Sequence, residues 1–371
     1  MPAFSRTEGS VIRHLYVHVP FCTHICPYCS FYKTRNSLPQ ITDFLPALKA
    51  ELAWAGRTFN LQLETVFFGG GTPSALSLSQ LEDLFRDWPL NRIPEVTMEA
   101  NPMTISAAKA ALLRDIGFNR ISLGVQAFDD VSLKLLGRTH NAEQIRHTAR
   151  LLRGAGFTNM NIDLMFALPG QCHEQWLASL HAALELQPQH ISAYNLNYEE
   201  DTDFFRKLEA GKLHIDENQE RDFFLTASAL LREHGFEHYE ISNYAKPGFR
   251  SLHNQAYWAG ADYLGLGPSA CSTVGQLRWK NVPDTVAYAK ALREKGEPLR
   301  EEEALSEEMK THERILLGLR TSHGIDPELI PSRVSRIEEL KGEGLLELTG
   351  GRLRLTQEGQ LVSDSVTALL I

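Results

Sequence analysis

Tyr16-Val17-His18-Val19-Pro20-Phe21-Cys22-Thr23-His24-Ile25-Cys26-Pro27-Tyr28-Cys29-Ser30-Phe31 puts three of the chain's five cysteines on one short loop, just after an apolar strand. The spacing is C-x3-C-x2-C. Three thiolates on a tight loop can hold three corners of a [4Fe–4S] cube and leave the fourth iron without a protein ligand. An open iron is where a small chelating molecule binds and receives an electron. A structural zinc site needs four ligands, and His18 or His24 would complete a Cys3His set, but a 3-then-2 spacing is rare among zinc patterns. Disulfides fit less well, because five is an odd number and Cys172 and Cys271 stand far from the loop.

Working outward, the start of the chain reads Met-Pro-Ala-Phe-Ser-Arg-Thr-Glu and has no apolar run of the kind a secretory signal needs. A reducing cytoplasm is the expected compartment. With 43 % hydrophobic and 22 % charged residues in 371, the composition is that of an ordinary globular protein larger than one typical domain. No apolar run approaches the roughly 20 residues of a membrane span. A net charge of −9 argues against a nucleic-acid partner, since a phosphate-tracking surface is normally basic.

Short apolar, β-branched segments at 15–19, 65–68, 96–99, 120–125, 161–166 and 190–196 alternate with helical patterns at 42–55, 79–87, 106–116, 142–155 and 174–186. Such alternation predicts a parallel sheet of βαβ units. The fold class expected is α/β: a partial (β/α)6-type parallel barrel over residues 1–240, with a further helix near 218–234. A connecting segment follows over 241–299, and a smaller, winged-helix-like α+β domain over 300–371. In that last unit the pattern gives helices at 307–319 and 332–341, a hairpin over 346–355 turning on Gly350-Gly351, and one closing helix over 357–370. It carries nine Lys/Arg against fourteen Asp/Glu, which favours a structural or docking role over DNA binding.

The cysteine loop after the first strand of a βα repeat resembles the radical S-adenosylmethionine superfamily. Phe68-Gly69-Gly70-Gly71-Thr72-Pro73, ending the second strand, resembles that superfamily's glycine-rich segment, where missing Cβ atoms let backbone N–H groups approach a ligand. Four further polar residues, Glu99, Gln126, Arg138 and Asp163, fall at or beyond strand ends, where a parallel barrel builds its site. Glu99 and Asp163 would accept hydrogen bonds from ribose hydroxyls or an amino group, and Arg138 would grip a carboxylate. For each alone, an internal salt bridge capping the barrel is an equal reading. All of them at one rim favour a cofactor.

Tyr16-Val-His-Val-Pro-Phe-Cys22, Gly69-Gly-Gly-Thr-Pro73, Ser122-Leu-Gly-Val-Gln126 and Leu136-Gly-Arg-Thr-His140 together resemble the coproporphyrinogen III dehydrogenase (HemN) group over nearly the whole chain. The resemblance implies S-adenosylmethionine contacts at Tyr16, Tyr28, Gly70, Gly71, Thr72, Glu99, Gln126, Arg138 and Asp163, with Cys22, Cys26 and Cys29 on the cluster. Asn197 falls where the dehydrogenase usually has a small residue that contacts the cofactor through its backbone. Two departures point away from the dehydrogenase itself. Its motif continues C-x3-C-x2-C-x-C, where this chain has Phe31, and its long extension ahead of the cluster has no counterpart in the 21 residues before Cys22.

Both features match instead the group's heme-chaperone branch, as does His253-Asn254-Gln-Ala-Tyr257-Trp258, which resembles that branch's heme-associated H-N-x-x-Y-W signature. Imidazole is a common axial ligand of heme iron, and Tyr and Trp offer flat apolar area. Lys246, Arg250, Arg278 and Lys280 are near enough in sequence to meet propionates. A buried histidine among core aromatics is the bland reading of an isolated His in such company. The resemblance implies a [4Fe–4S] cluster, S-adenosylmethionine and heme as ligands, and apo-hemoproteins, membrane-associated ones included, as recipients. It further implies a flavodoxin-type reductant and a homodimer. Oxidative decarboxylation of coproporphyrinogen III is the alternative activity.

Overall fold

The computed structural model describes Thr7, residues 9–88 and residues 90–371. Apart from Thr7, the N-terminal stretch read for a leader therefore lies outside the described residues.

Six parallel strands cross the sheet in chain order: β1 (Val11–Val19), β2 (Asn60–Gly70), β3 (Glu95–Ala100), β4 (Arg120–Gln126), β5 (Met160–Phe166) and β6 (His190–Asn195). Each lies on an expected strand. The crossovers carry the helices Leu38–Thr58, Leu78–Phe85, Ala107–Ile116, Ala142–Gly154 and His173–Glu185. Side chains of a strand alternate between faces, and here the alternation separates two environments. Leu15, Val17, Val66, Val96, Ile121, Ile162 and Ile191 are wholly buried in one core cluster. The intervening residues, among them His14, Tyr16, His18, Thr65, Phe67, Glu95, Arg120 and Asp163, face the lumen.

The sheet does not stop at six strands. Its order is β12-β11-β10-β9-β1-β2-β3-β4-β5-β6-β8-β7, where β7 is Glu237–Glu240, β8 Asn243–Ala245, β9 Tyr263–Leu266, β10 Cys271–Val274, β11 Leu277–Asn281 and β12 Arg300–Ala304. β9 pairs parallel to β1, and the other five added strands pair antiparallel. The barrel is partial and open. Residues 241–299, expected as a connector, instead build strands of this same sheet, and Arg300–Ala304, expected in the C-terminal unit, pairs with β11. Strands of three to five residues are too short to show a period, which is why the sequence pattern passed over them.

The C-terminal unit has its own core around Ile315, Leu319, Ile337, Leu340, Leu353 and Val366. Helices Glu307–Leu319 and Val334–Gly342 precede a hairpin, Leu346–Thr349 with Arg352–Leu355. Gly350 and Gly351 both have positive φ (58° and 76°), as a two-residue turn matched to the strand twist requires. The single closing helix expected over 357–370 is two, Gln357–Leu361 and Ser363–Leu370, because Val362 (φ −123°, ψ 32°) leaves the helical region. The unit docks through Ser322 N–H to the Tyr239 carbonyl (2.9 Å) and an antiparallel bridge between Glu240 and Thr321.

One buried carboxylate locks the β9–β11 side to the barrel. Glu51, from the helix Leu38–Thr58, accepts from Gly267 N–H (2.7 Å), Asn281 Nδ2 (2.7 Å) and Tyr288 O–H (2.5 Å). Burial still pushes it up to about 7 from the ordinary 4.5, the three donors only partly opposing that. A carboxyl that binds its proton more tightly when folded stabilises most below its unfolded value, and this contribution fades as pH rises through the folded one. Urea unfolding followed from pH 4.5 to 8 should therefore show a downward slope in stability that flattens in Glu51→Gln. Identical slopes in the two proteins would exclude this role.

Candidate cofactor site

The cysteine loop is laid onto the end of β1 and β2 by backbone pairing. Gly71 N–H donates to Val19 O and Thr72 N–H to Phe21 O (both 2.9 Å), while Phe21–Cys22 pairs parallel with Thr34–Arg35. This close approach requires glycine. A Cβ on Gly70, whose φ is +103°, would lie 2.4 Å from the His18 ring, and one on Gly71 would lie 2.6 Å from the Pro20 carbonyl carbon.

Each cysteine has its own polar neighbour. Thr72 Oγ1 donates to Cys22 Sγ (3.7 Å), Arg138 Nη1 to Cys26 Sγ (3.7 Å), and Lys33 Nζ to the Cys29 carbonyl. Burial pushes the Cys22 and Cys29 thiols up, and the Lys33 ammonium pulls both back toward thiolate. Among the described residues, no three His, Cys, Asp or Glu side chains are grouped as a single-ion site; thiolates serving separate irons of a cube need not be. His18 is not available as a fourth ligand. Burial lowers it to about 4, so it is neutral. Its Nε2 donates to the Tyr32 carbonyl (2.8 Å), and its Nδ1 accepts from Tyr16 O–H (3.0 Å).

A cleft of about 380 Å³ opens beside the loop at the C-terminal ends of the strands. Cys22, Cys26, Cys29, Tyr28, Gly70, Gly71, Thr72, Glu99, Gln126, Arg138 and Asp163, eleven of the thirteen expected residues, line it. A bulge between Gly124 and Gln126 turns Gln126, at φ +70°, onto the rim. Arg138 Nη2 donates to the Gly124 carbonyl (2.5 Å), while its buried Nε has no hydrogen-bond partner among the described residues. Asp163 accepts from Ser122 Oγ (2.9 Å) and Asn161 Nδ2 (2.7 Å). Burial pushes Glu99 up to about 8, and the neighbouring Asp163 carboxylate adds to it. An unpartnered guanidinium nitrogen and two carboxyls short of cations, on one cleft, are the complement of a ligand bearing both ammonium and carboxylate.

Two expected contacts are absent from this wall. Tyr16 lies beneath the cleft, its hydroxyl committed to His18, and Asn197 is exposed beyond the end of β6. Ser122, Met165 and Tyr194 line the cleft and escaped the sequence reading. Counting in twos along the strands from Gly124, Asp163 and Ser192 would have found them.

The H-N-x-x-Y-W segment is at the other end of the barrel. It forms the helix Leu252–Trp258, whose first N–H groups point at Glu95, the first residue of β3: Leu252 N–H (2.9 Å), His253 N–H (3.0 Å) and Ser251 Oγ (3.2 Å) all donate to that carboxylate. From Thr65, level with the helix, to Gly70 at the cleft is roughly 16 Å of strand. His253 stacks on Phe67 (ring centroids 5.3 Å apart) and hydrogen-bonds Thr65 Oγ1 through Nδ1 (2.8 Å). Burial lowers it to about 3, leaving a neutral ring. Among the described residues, no group hydrogen-bonds its Nε2. Tyr257 is exposed, and Trp258 lies under the Arg320 guanidinium (5.2 Å) with a buried Nε1 that has no hydrogen-bond partner among the described residues. Of the expected propionate partners, Arg250 and Arg278 are already paired, with Glu237 (2.9 Å) and Glu313 (2.6 Å), and Lys246 donates to the His234 carbonyl.

A parallel partial barrel with three thiols on the loop after β1, and a glycine-rich cradle after β2, defines the class. The Radical SAM superfamily signature matches residues 16–183, and the HemN C-terminal domain signature matches residues 305–362. The structure of coproporphyrinogen III oxidase (HemN) from Escherichia coli superposes with a TM-score of 0.85 over 100 % of this chain and 93 % of that one, at 24 % identity. Heme chaperone HemW of Bacillus subtilis is 34 % identical over 96 % of this chain and 98 % of its own length, and HemW of Escherichia coli is 39 % identical over 69 % and 68 %. The chain belongs to the HemW family of radical SAM proteins.

The raised Glu99 has a measurable consequence. Below about 8 the empty site holds a proton that a bound cation expels, so affinity for a cationic ligand rises with pH up to that value. With S-adenosylmethionine as probe, calorimetry near neutral pH in two buffers of different ionisation enthalpy should report proton release. Glu99→Gln should abolish it. Equal heats in both buffers for the unaltered protein would show that Glu99 is already ionised.

Proposed function

We propose that this protein is a heme chaperone: it holds heme at the floor of the barrel and delivers it to apo-hemoproteins in the cytoplasm or at the membrane face. The observation that carries the reading is the state of His253. A metal-bound imidazole is neutral and offers one nitrogen to the metal, while its other N–H donates to an oxygen. His253 is neutral, its Nδ1 is held by Thr65 Oγ1, and its Nε2 has no hydrogen-bond partner among the described residues. Tyr257, Trp258 and Asn254 stand on the same short helix and would offer a macrocycle two flat apolar rings and a polar side chain. The full-length similarity to proteins named heme chaperone supports the same reading.

Cys22, Cys26 and Cys29 would hold a [4Fe–4S] cluster. Arg138 would meet the carboxylate and Glu99 the amino group of S-adenosylmethionine, with Asp163 at its ribose. When bound, the pair supplies one-electron chemistry at the sulfonium. The chain's own residues orient the ligand, desolvate it against the glycine-rich rim, and set the protonation of Glu99. Three thiolates for four irons leave one iron for that ligand.

Anaerobic reconstitution followed by heme titration tests the reading. The unaltered chain should take up heme, His253→Ala should bind it more weakly with an altered Soret band, and added coproporphyrinogen III should persist. No heme uptake by the unaltered chain, or consumption of the porphyrinogen, would overturn the chaperone reading. Cys22→Ala, Cys26→Ala and Cys29→Ala should each lose the brown chromophore, and Cys172→Ala should keep it; bleaching in Cys172→Ala would refute the ligand set.

A further inference from the structure

The lumen is not uniform. Its β4–β6 wall is polar, with Arg120, Asn161, His190 and Ser192. Its β1–β2 wall is a column of rings. From the floor upward, His253 stacks on Phe67 (5.3 Å, 29° between planes) and Phe67 on Tyr16 (6.3 Å, 26°). Tyr16 meets His18 edge-on (6.0 Å), and His18 meets Tyr32 (6.0 Å). Strand register fixes the column, since Tyr16 on β1 lies directly beside Phe67 on β2. Two of the contacts are also hydrogen-bonded, Tyr16 O–H to His18 Nδ1 (3.0 Å) and His18 Nε2–H to the Tyr32 carbonyl (2.8 Å). Tyr32 is three residues beyond Cys29 on the same loop.

Every link from a cluster cysteine to the unclaimed nitrogen of His253 is thus a covalent bond, a hydrogen bond or a ring contact. Thr65, bonded to His253, and Gly70, beside the cysteine loop, are roughly 16 Å apart along β2, and the rings fill that span with centroids 5.3 to 6.3 Å apart. The outer face of β2 also packs rings, Phe68 against Phe85, Trp88 and Phe118; what sets the lumen column apart is that it joins the cysteine loop to His253. The ring column points to a use for it.

We propose that the Phe67–Tyr16–His18 column carries one electron from the reduced iron–sulfur cluster to heme iron seated at His253, making the protein a heme reductase as well as a carrier. This rests on the heme reading given above. The balance is one electron: the cluster passes from its singly charged reduced state to the doubly charged oxidised state, and ferric heme becomes ferrous. No ring is oxidised or reduced; the column closes the gap between two iron centres. An external one-electron reductant restores the cluster, and dithionite serves in the test. Because ferrous and ferric iron differ in affinity for anionic and neutral ligands, such a step would set which form a recipient is offered.

The test is anaerobic stopped-flow on cluster- and heme-loaded protein without S-adenosylmethionine, following the heme bands after mixing with dithionite at several concentrations. The intact chain should show a first-order phase of heme reduction whose rate does not depend on dithionite. Cys29→Ala, loaded with heme only, should show a phase proportional to dithionite. Phe67→Leu, which removes the ring and keeps apolar volume, should slow the concentration-independent phase by about an order of magnitude, compared per heme and per cluster. Tyr16→Phe keeps the ring and removes the link to His18, so it supplies a second interruption of the path and should also slow the phase. The same dithionite-proportional law in the intact chain and in Cys29→Ala would overturn the proposal, as would unaltered rates in both Phe67→Leu and Tyr16→Phe. Failure to take up heme would remove the binding reading and this proposal with it, whereas uptake without the concentration-independent phase would remove this proposal alone.

Discussion

Burying a carboxylate or guanidinium away from water costs several kcal/mol unless a partner of opposite charge or a set of hydrogen bonds replaces the lost solvation. Glu95, Glu99, Asp163 and Arg120 all face one lumen, from three adjacent parallel strands. The way each is satisfied organises the molecule. Glu95 is satisfied by the N-terminus of the helix Leu252–Trp258, which brings a segment more than 150 residues away to the barrel floor. Asp163 is held by Ser122 and Asn161. Glu99 has a backbone donor in Gly70 and the Arg120 charge to oppose its burial, and these leave it raised to about 8. One end of the lumen is thereby capped at Glu95 by the helix, and the other opens into the cleft.

The same division explains why the two candidate sites do not share a cavity. The strand ends that carry the cysteines open into the cleft, while the opposite ends carry the H-N-x-x-Y-W helix. His253 points inward between them and touches Phe67, whose ring in turn lies against Tyr16. Side chains of β1, β2 and β3 connect the two ends, because those strands supply the floor contacts at Thr65 and Glu95 and the rim at Gly70 and Glu99.

Much of this was legible in the chain, for definite reasons. Wholly buried parallel strands read as short apolar runs, and the crossovers between them are long enough to show helical periodicity, so all six strands and their helices were identifiable. The cysteine spacing and the glycine run are local and survive any fold. The strands from 237 to 304 were hidden because each spans only three to five residues and pairs with a partner chosen by tertiary contact. The place of His253 was hidden for a related reason. That a helix at 252 would be capped by a glutamate at 95 depends on which end of the barrel it packs against, and periodicity does not encode that. Tyr16 was assigned to a ligand on resemblance, whereas parity along β1 puts it one layer below the rim, bonded to His18. Asn197 lies past the end of β6, where alternation no longer determines the direction of a side chain.

An open barrel has a penalty that a closed one avoids: two outer strands with unpaired backbone groups, each a template on which a neighbour's strand can add. The two margins of this sheet are guarded by different means. β12 reads Arg-Glu-Glu-Glu-Ala and is largely exposed, so an incoming strand would meet a row of like charges. β7 is instead covered by the C-terminal unit, with Thr321 bridged to Glu240 and Ser322 bonded to Tyr239. Seen in this light, the acidic appendage is a selvedge: it finishes a fabric that would otherwise fray into its neighbours.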